Sequence, residues 1–200
     1  MDNEREHETR ETAEKGLGRE IYEWMQAVVG SVLTVVLVFT FVVRLIGVDG
    51  WSMVPTLQNG DRLLVLNAPL CGAYRAGDVV IAAKSTFENG EPIVKRVIAT
   101  EGQVVDIDFT TGKVYVDGEQ LQEDYVNELT YRAEGTEFPL AVPEGSVFVM
   151  GDNRNHSSDS RDPRLGTVDT RCLAGKAVFL LYPGLDQQGE RDYGRIGGIA

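Results

Sequence analysis

Residues 27–43 read AVVGSVLTVVLVFTFVV, an uncharged run that decides how the rest of the chain is read. Trp24 and Met25 extend its apolar character backward, and as a helix the stretch 24–43 would cover about 30 Å, the thickness of a bilayer core. A buried helix of a soluble domain usually keeps a polar stripe, whereas this run is apolar on every face. Its many β-branched residues would suit a strand, but an unbroken strand of this length is unusual. A cleaved leader is the closer rival, because leaders also join a charged start to an apolar stretch. This run is longer than a leader's apolar core, and Arg44-Leu45-Ile46-Gly47-Val48 offers no Ala-x-Ala-like exit. A retained transmembrane helix over 22–44 is therefore expected. Arg5, Arg10, Lys15 and Arg19 precede the run, and after Arg44 nothing basic follows until Arg62. Orientation follows the Lys and Arg near the ends of a span, so the N-terminus is expected in the cytoplasm and everything after Arg44 outside the cell membrane. Tyr22, Trp24 and Trp51 stand where interfacial aromatics would flank the two surfaces.

Outward from the span, residues 1–21 are rich in Glu and Arg and read as a polar cytoplasmic tail, either a solvated helix or disordered. Residues 45–185 contain no long helical period. Short β-branched runs bounded by turn residues fall at 62–66, 78–82, 93–99, 103–109, 113–116, 146–150 and 176–182. Asp117-Gly118 between KVYV and EQLQ is a hairpin signal, since both residue types tolerate the positive φ of a type I′ turn. The expected fold is mostly β: one N-terminal transmembrane helix, then an extracytoplasmic all-β domain, with 186–200 as a loose, Gly-rich tail. Two hundred residues leave room for one working domain. A formal charge of -12 argues against a nucleic-acid partner, whose phosphates call for Lys and Arg. Cys71 and Cys172 are far apart in sequence and form no zinc motif, leaving a single bridge or two thiols both open.

Chemistry is concentrated in three segments. Directly after the span comes Gly50-Trp51-Ser52-Met53-Val54-Pro55-Thr56-Leu57. A serine in a Pro-containing loop is most often a turn residue, and to act as a nucleophile it needs a base. The two histidines are His7, in the tail, and His156, so a Ser-His-Asp triad could draw only on His156. The other route is a neutral lysine. Lys95 lies in Pro92-Ile93-Val94-Lys95-Arg96-Val97-Ile98, whose apolar neighbours could strip water from the amine and lower its pKa; an outward-facing lysine on an edge strand fits the same pattern. The third segment, Gly151-Asp152-Asn153-Arg154-Asn155-His156-Ser157-Ser158-Asp159-Ser160-Arg161, hints at a calcium loop. Arg154 and His156 occupy would-be ligand positions and no Glu closes the loop, so the hint fails. Asp159 and Arg161 would instead stiffen the loop and could orient a lysine.

Together these segments resemble the signature boxes of bacterial type I signal peptidases, peptidase family S26, in the right order: Ser52-Met53-x-Pro55-Thr56-Leu57, Lys95-Arg96, Gly151-Asp152-Asn153-Arg154 and Ser157-x-Asp159-Ser160-Arg161. The resemblance covers about 22–182 and implies a membrane-bound serine endopeptidase with a signal-peptidase-type β domain. Within it Ser52 would attack, and Lys95 would accept and return the proton. Ser157 would hold the lysine amine, while Asp152 with Arg96 and Asp159 with Arg161 would brace the site as ion pairs. The Ser52 N–H would meet the oxyanion. Gly50 stands where some members carry a further hydroxyl, a departure shared with the Gram-positive branch. Ala99-Thr100-Glu101-Gly102 replaces the family's usual Gly-Leu-Pro-Gly. A substrate with small residues at the first and third positions before the cut would add as a strand beside Val48, Asp49, Gly50 and Pro92, Ile93, Val94, with Met53 either walling a pocket or merely packing. No metal or cofactor is implied. The implied partners are signal-peptide-bearing preproteins and the lipid bilayer, with the secretion translocase as a candidate associate. Two rivals share parts of this pattern: a self-cleaving Ser-Lys repressor protease, which should carry a DNA-binding domain, and a catalytically silent β domain.

Overall fold

In the computed structural model, which describes residues 2–186 and 188–199 and side chains from Arg19 onward, the chain divides into two units, Met1–Val42 and Val43–Ala200. The first is the helix α1, Asp2–Leu37, closed by a π-helical turn at Val38–Val42. Every side chain of Arg19–Val42 is exposed, and this segment is long and apolar enough to cross a membrane. Ser31, Thr34 and Thr40 satisfy their hydroxyls on carbonyls one turn earlier. The expectation for the polar tail before Arg19 lies outside the residues with described side chains.

Among its described residues the second unit holds twelve strands, all paired antiparallel: β1 Val43–Gly47, β2 Arg62–Asn67, β3 Val79–Ala82, β4 Ile93–Thr100, β5 Val104–Asp108, β6 Lys113–Val116, β7 Glu119–Gln120, β8 Leu140–Ala141, β9 Ser146–Met150, β10 Val168–Asp169, β11 Leu173–Tyr182 and β12 Gly197–Gly198. The all-β expectation holds. The larger sheet runs β1-β2-β11-β3-β4-β9-β10 with β12 beside β11; the smaller runs β7-β6-β5-β8. The span expected to 44 stops two residues earlier. Val43 and Arg44 instead open β1, where their backbone joins a ladder that sets Val43 opposite Leu66 and Gly47 opposite Arg62. The hairpin at Asp117 and Gly118 forms with φ of 54° and 83°, and Val116 faces Glu119 across it.

Side chains alternate across a strand, so β3, buried throughout, feeds two cores. Val79 and Ile81 join Val48, Met53, Leu57, Leu63 and Val65 on one face; Val80 and Ala82 join Val97, Val147, Val149 and Leu165 on the other. A third core, around Phe148, Met150 and Ile107, joins the two sheets. The tail expected to be loose over 186–200 differs from the structure near its end. There β12 pairs with β11 beyond the point where β3 ends, Ile199 packs against the Met53 core and Arg195 forms an ion pair with Asp61. Both cysteines are free thiols, and Cys71 Sγ donates to the Leu66 carbonyl at 3.3 Å.

Candidate active site

The register of β4 explains how two adjacent basic residues acquire different environments. Lys95 lies opposite Val80, and Arg96 lies opposite Val79 and Met150, so their side chains leave opposite faces of the sheet. Lys95 is 4% exposed, and its Nζ donates to Ser52 Oγ at 2.7 Å. Burial pushes its amine below the ordinary lysine range, helped by the Arg161 charge; Asp159, Glu134 and Glu88 pull the other way, with Asp159 the strongest of the three. The outward-facing alternative for Lys95 is thereby removed.

Ser52 sits on a run of turns held from both ends. The Leu57 N–H reaches back to the Met53 carbonyl at 2.9 Å. Asn153 binds the same loop twice, its N–H on the Ser52 carbonyl and its Nδ2 on the Trp51 carbonyl, both at 3.0 Å. Gly50, whose N–H is taken by Asn59 Oδ1, has φ of 96°, a conformation that L side chains rarely adopt. Any side chain at this position would be strained. Gly151 is needed for a different reason: a Cβ there would lie 2.2 Å from Ser157 Oγ and 2.4 Å from the Ser52 carbonyl oxygen.

Arg96 and Asp152 form a fully buried bidentate pair, Nε to Oδ1 at 2.9 Å and Nη2 to Oδ2 at 2.8 Å. Thr56 Oγ1 donates to the same carboxylate at 2.5 Å, which ties the Ser52 loop to this pair. Asp159 collects the Gly151 N–H, the Ser157 hydroxyl and both Nε and Nη2 of Arg161, all within 2.9 Å. Ser157 is one of these donors. Its proton goes to Asp159, because a buried carboxylate is a stronger acceptor than an amine that is already hydrogen-bonded to Ser52.

Arg154 stands in the third segment without an assigned supporting role, and several of its neighbours have no signal of their own in the sequence. Arg154, fully buried, binds Glu123 at 2.5 Å and Thr130 Oγ1 at 3.0 Å. The Tyr125 ring lies under the Arg96 guanidinium, 4.2 Å from its centre, and burial pushes the phenol up to about 12. Glu134 accepts the Asp159 N–H at 3.2 Å, and burial raises its carboxyl above the ordinary range. Glu123, Tyr125 and Glu134 come from the irregular stretch between β7 and β8, which has no periodicity to betray an inward face. The available signal lay in the arginines, since a buried guanidinium requires carboxylate or carbonyl partners.

Val48, Met53, Ile93 and Val94 line a cleft of about 250 Å³ that ends at Ser52 and Lys95. Gly50 and Ile93 help line a second hollow of about 390 Å³ that also reaches Lys95. Met53 belongs to the core with Leu57 and Leu63 and also lines the first cleft. His156 is exposed, and the His7 side chain lies outside those described.

A family model described as signal peptidase, peptidase S26, matches residues 21–182. The chain belongs to the S26 signal peptidases. Among relatives, a signal peptidase I of Bacillus licheniformis is 35% identical over 86% of this chain and 95% of its own length. Signal peptidase I S of Bacillus subtilis strain 168 is 34% identical over 82% and 91%. A crystal structure of a signal peptidase I from Enterococcus faecalis V583 is 29% identical, covering 53% of this chain and 97% of that one with a TM-score of 0.43. As an S26 signal peptidase of the Gram-positive-like type I branch, the chain is a serine peptidase.

Proposed function

We propose that this type I signal peptidase cuts signal peptides from preproteins after Ala-x-Ala-like sites, with Ser52 as nucleophile and Lys95 as general base. The observation that carries the reading is the 2.7 Å contact between Lys95 Nζ and Ser52 Oγ, made by an amine that burial drives toward its neutral form. Neutral Lys95 takes the Ser52 proton as Oγ attacks the scissile carbonyl. The developing oxyanion is met by the Ser52 N–H, and collapse of the tetrahedral species passes the proton from Lys95 to the leaving amine. Water then repeats the sequence on the acyl-enzyme. Ser157, whose own proton is committed to Asp159, has oxygen lone pairs left for the lysine while it is protonated. Arg96 with Asp152 and Arg161 with Asp159 hold the two loops that bring these groups together.

The substrate lies extended between the segment around Val48 and Gly50 and that around Ile93 and Val94. Small side chains fit the two hollows, whose volumes of about 250 and 390 Å³ are shared with backbone. Arg19–Val42 anchors the enzyme in the membrane with the N-terminus cytoplasmic and the catalytic domain outside, as the distribution of basic residues favours. The secretion translocase is a candidate neighbour there.

Incubation of the purified enzyme with a signal-peptide-bearing preprotein, with the cut site read by mass spectrometry, tests this reading. Ser52→Ala and Lys95→Ala should each lower kcat by at least about 10³-fold, while His156→Ala keeps most activity. Wild-type rates in either of the first two variants would exclude the dyad, and loss of activity in the third would restore a histidine base.

A further inference from the structure

We infer that Arg195, in the segment beyond the part matched by the family model, is a positioning residue for the nucleophile loop; this rests on the reading of Ser52 and Lys95 as the reacting pair. Its guanidinium spans Asp61, with Nη1 on Oδ1 at 3.1 Å and Nη2 on Oδ2 at 2.7 Å, and the same Nη2 reaches the Thr56 carbonyl at 3.0 Å. Thr56 lies in the turn that carries Ser52, and its hydroxyl is bound to Asp152 at 2.5 Å. Arg195 therefore fixes from outside a residue that the Arg96 and Asp152 pair fixes from inside.

Asp61 is itself a junction. Fully buried, it accepts the Gln58 N–H at 2.8 Å and the Gly184 N–H at 2.6 Å, and its own carbonyl accepts the Val48 N–H at 2.8 Å. Asp61 thus joins the cleft segment through its carbonyl and the end of the nucleophile loop and the exit of β11 through its carboxylate, which Arg195 pairs as an ion. The segment that delivers Arg195 is held in place by the pairing of β12 with β11 and by Ile199 on the core that contains Met53 and Leu57. Without the guanidinium, a buried carboxylate loses its counter-charge and the Thr56 carbonyl loses a donor. The loop then relaxes, and Ser52 moves relative to Lys95.

The test uses the full-length chain in detergent, a peptide with an Ala-x-Ala site, and a serine-directed acylating titrant that counts competent sites. For Arg195→Met, kcat per titrated site should fall about ten- to hundredfold, the scale of a misplacement near 1 Å, with KM within about twofold of wild type. Arg195→Lys should fall between the two, since an ammonium keeps the charge but cannot reach both Asp61 oxygens and Thr56 together. A merely structural role would reduce the titratable fraction and leave kcat per site unchanged, which overturns the proposal. If Arg195→Met gives no titratable enzyme, Arg195→Lys decides on the same quantity, and a wild-type value per site overturns it. Should wild type fail to cleave, or Ser52→Ala cleave equally fast, the dyad reading fails and this inference falls with it.

Discussion

A lysine becomes useful as a base only when its surroundings make the ammonium expensive, and Lys95 meets that condition through burial first and the Arg161 charge second. Opposing these are three carboxylates, so in the proposed mechanism the acid limb of the activity profile is set by a balance of charges. Glu134 is the informative one to change, because Asp159 also anchors Arg161, Ser157 and Gly151. The Glu134 charge favours the lysine ammonium, so Glu134→Gln should lower the Lys95 pKa further and carry the acid limb of kcat/KM to lower pH. A limb that stays fixed or moves upward would show that Glu134 does not act on the lysine. From sequence, Ser52 and Lys95 stood out only through their resemblance to a family. The local pattern left Lys95 undecided because its burial depends on Val80 opposite it and on the third segment, both remote in the chain. Glu134 had no such signal, since nothing in its neighbourhood marks a side chain as turned inward.

Among the elements, the contact that constrains the site most is between the nucleophile loop and the loop that follows β9. They meet backbone to backbone at Gly151, where the Asn153 N–H binds the Ser52 carbonyl and no space remains for a methyl group. Gly151→Ala should therefore cost about 1–3 kcal/mol of stability by overpacking, lowering Tm by about 2–10 °C, and should depress kcat because the two loops cannot separate without moving Ser52. Thermal unfolding and steady-state kinetics on the same preparation check this, and an unchanged Tm would mean that the close approach is relieved elsewhere. Long β-branched strands such as β4 and β9 were legible because their own residues dictate them. β8, β10 and β12, each two residues long, were not, because a strand that short exists only where a partner's backbone offers a ladder. The same reason hid the docking of the C-terminal segment. Its glycines read as looseness, yet they carry β12 alongside β11 and bring Arg195 to Asp61.

At the scale of the whole molecule, the two units differ in what stabilises them. The helix of the first exposes its apolar side chains from Arg19 to Val42, whereas all three cores of the second draw on residues from Val48 onward. The second unit also contains both ends of each buried ion pair around the site, Arg96 with Asp152, Arg154 with Glu123 and Arg161 with Asp159. Folding of the β domain should thus be independent of the apolar helix. A chain consisting of Val43–Ala200 should give a β-type circular dichroism spectrum, one cooperative thermal transition and Ser52-dependent cleavage of a short Ala-x-Ala peptide with kcat within about tenfold of the full chain. On a preprotein held in vesicles the same fragment should lag far behind, because the proposed anchor would raise the local concentration of enzyme at the surface where the substrate is retained. The two substrates separate the contributions: equal rates for both forms on the vesicle-bound preprotein would remove the anchor from catalysis, and a fragment without a cooperative transition would show that the helix contributes to folding.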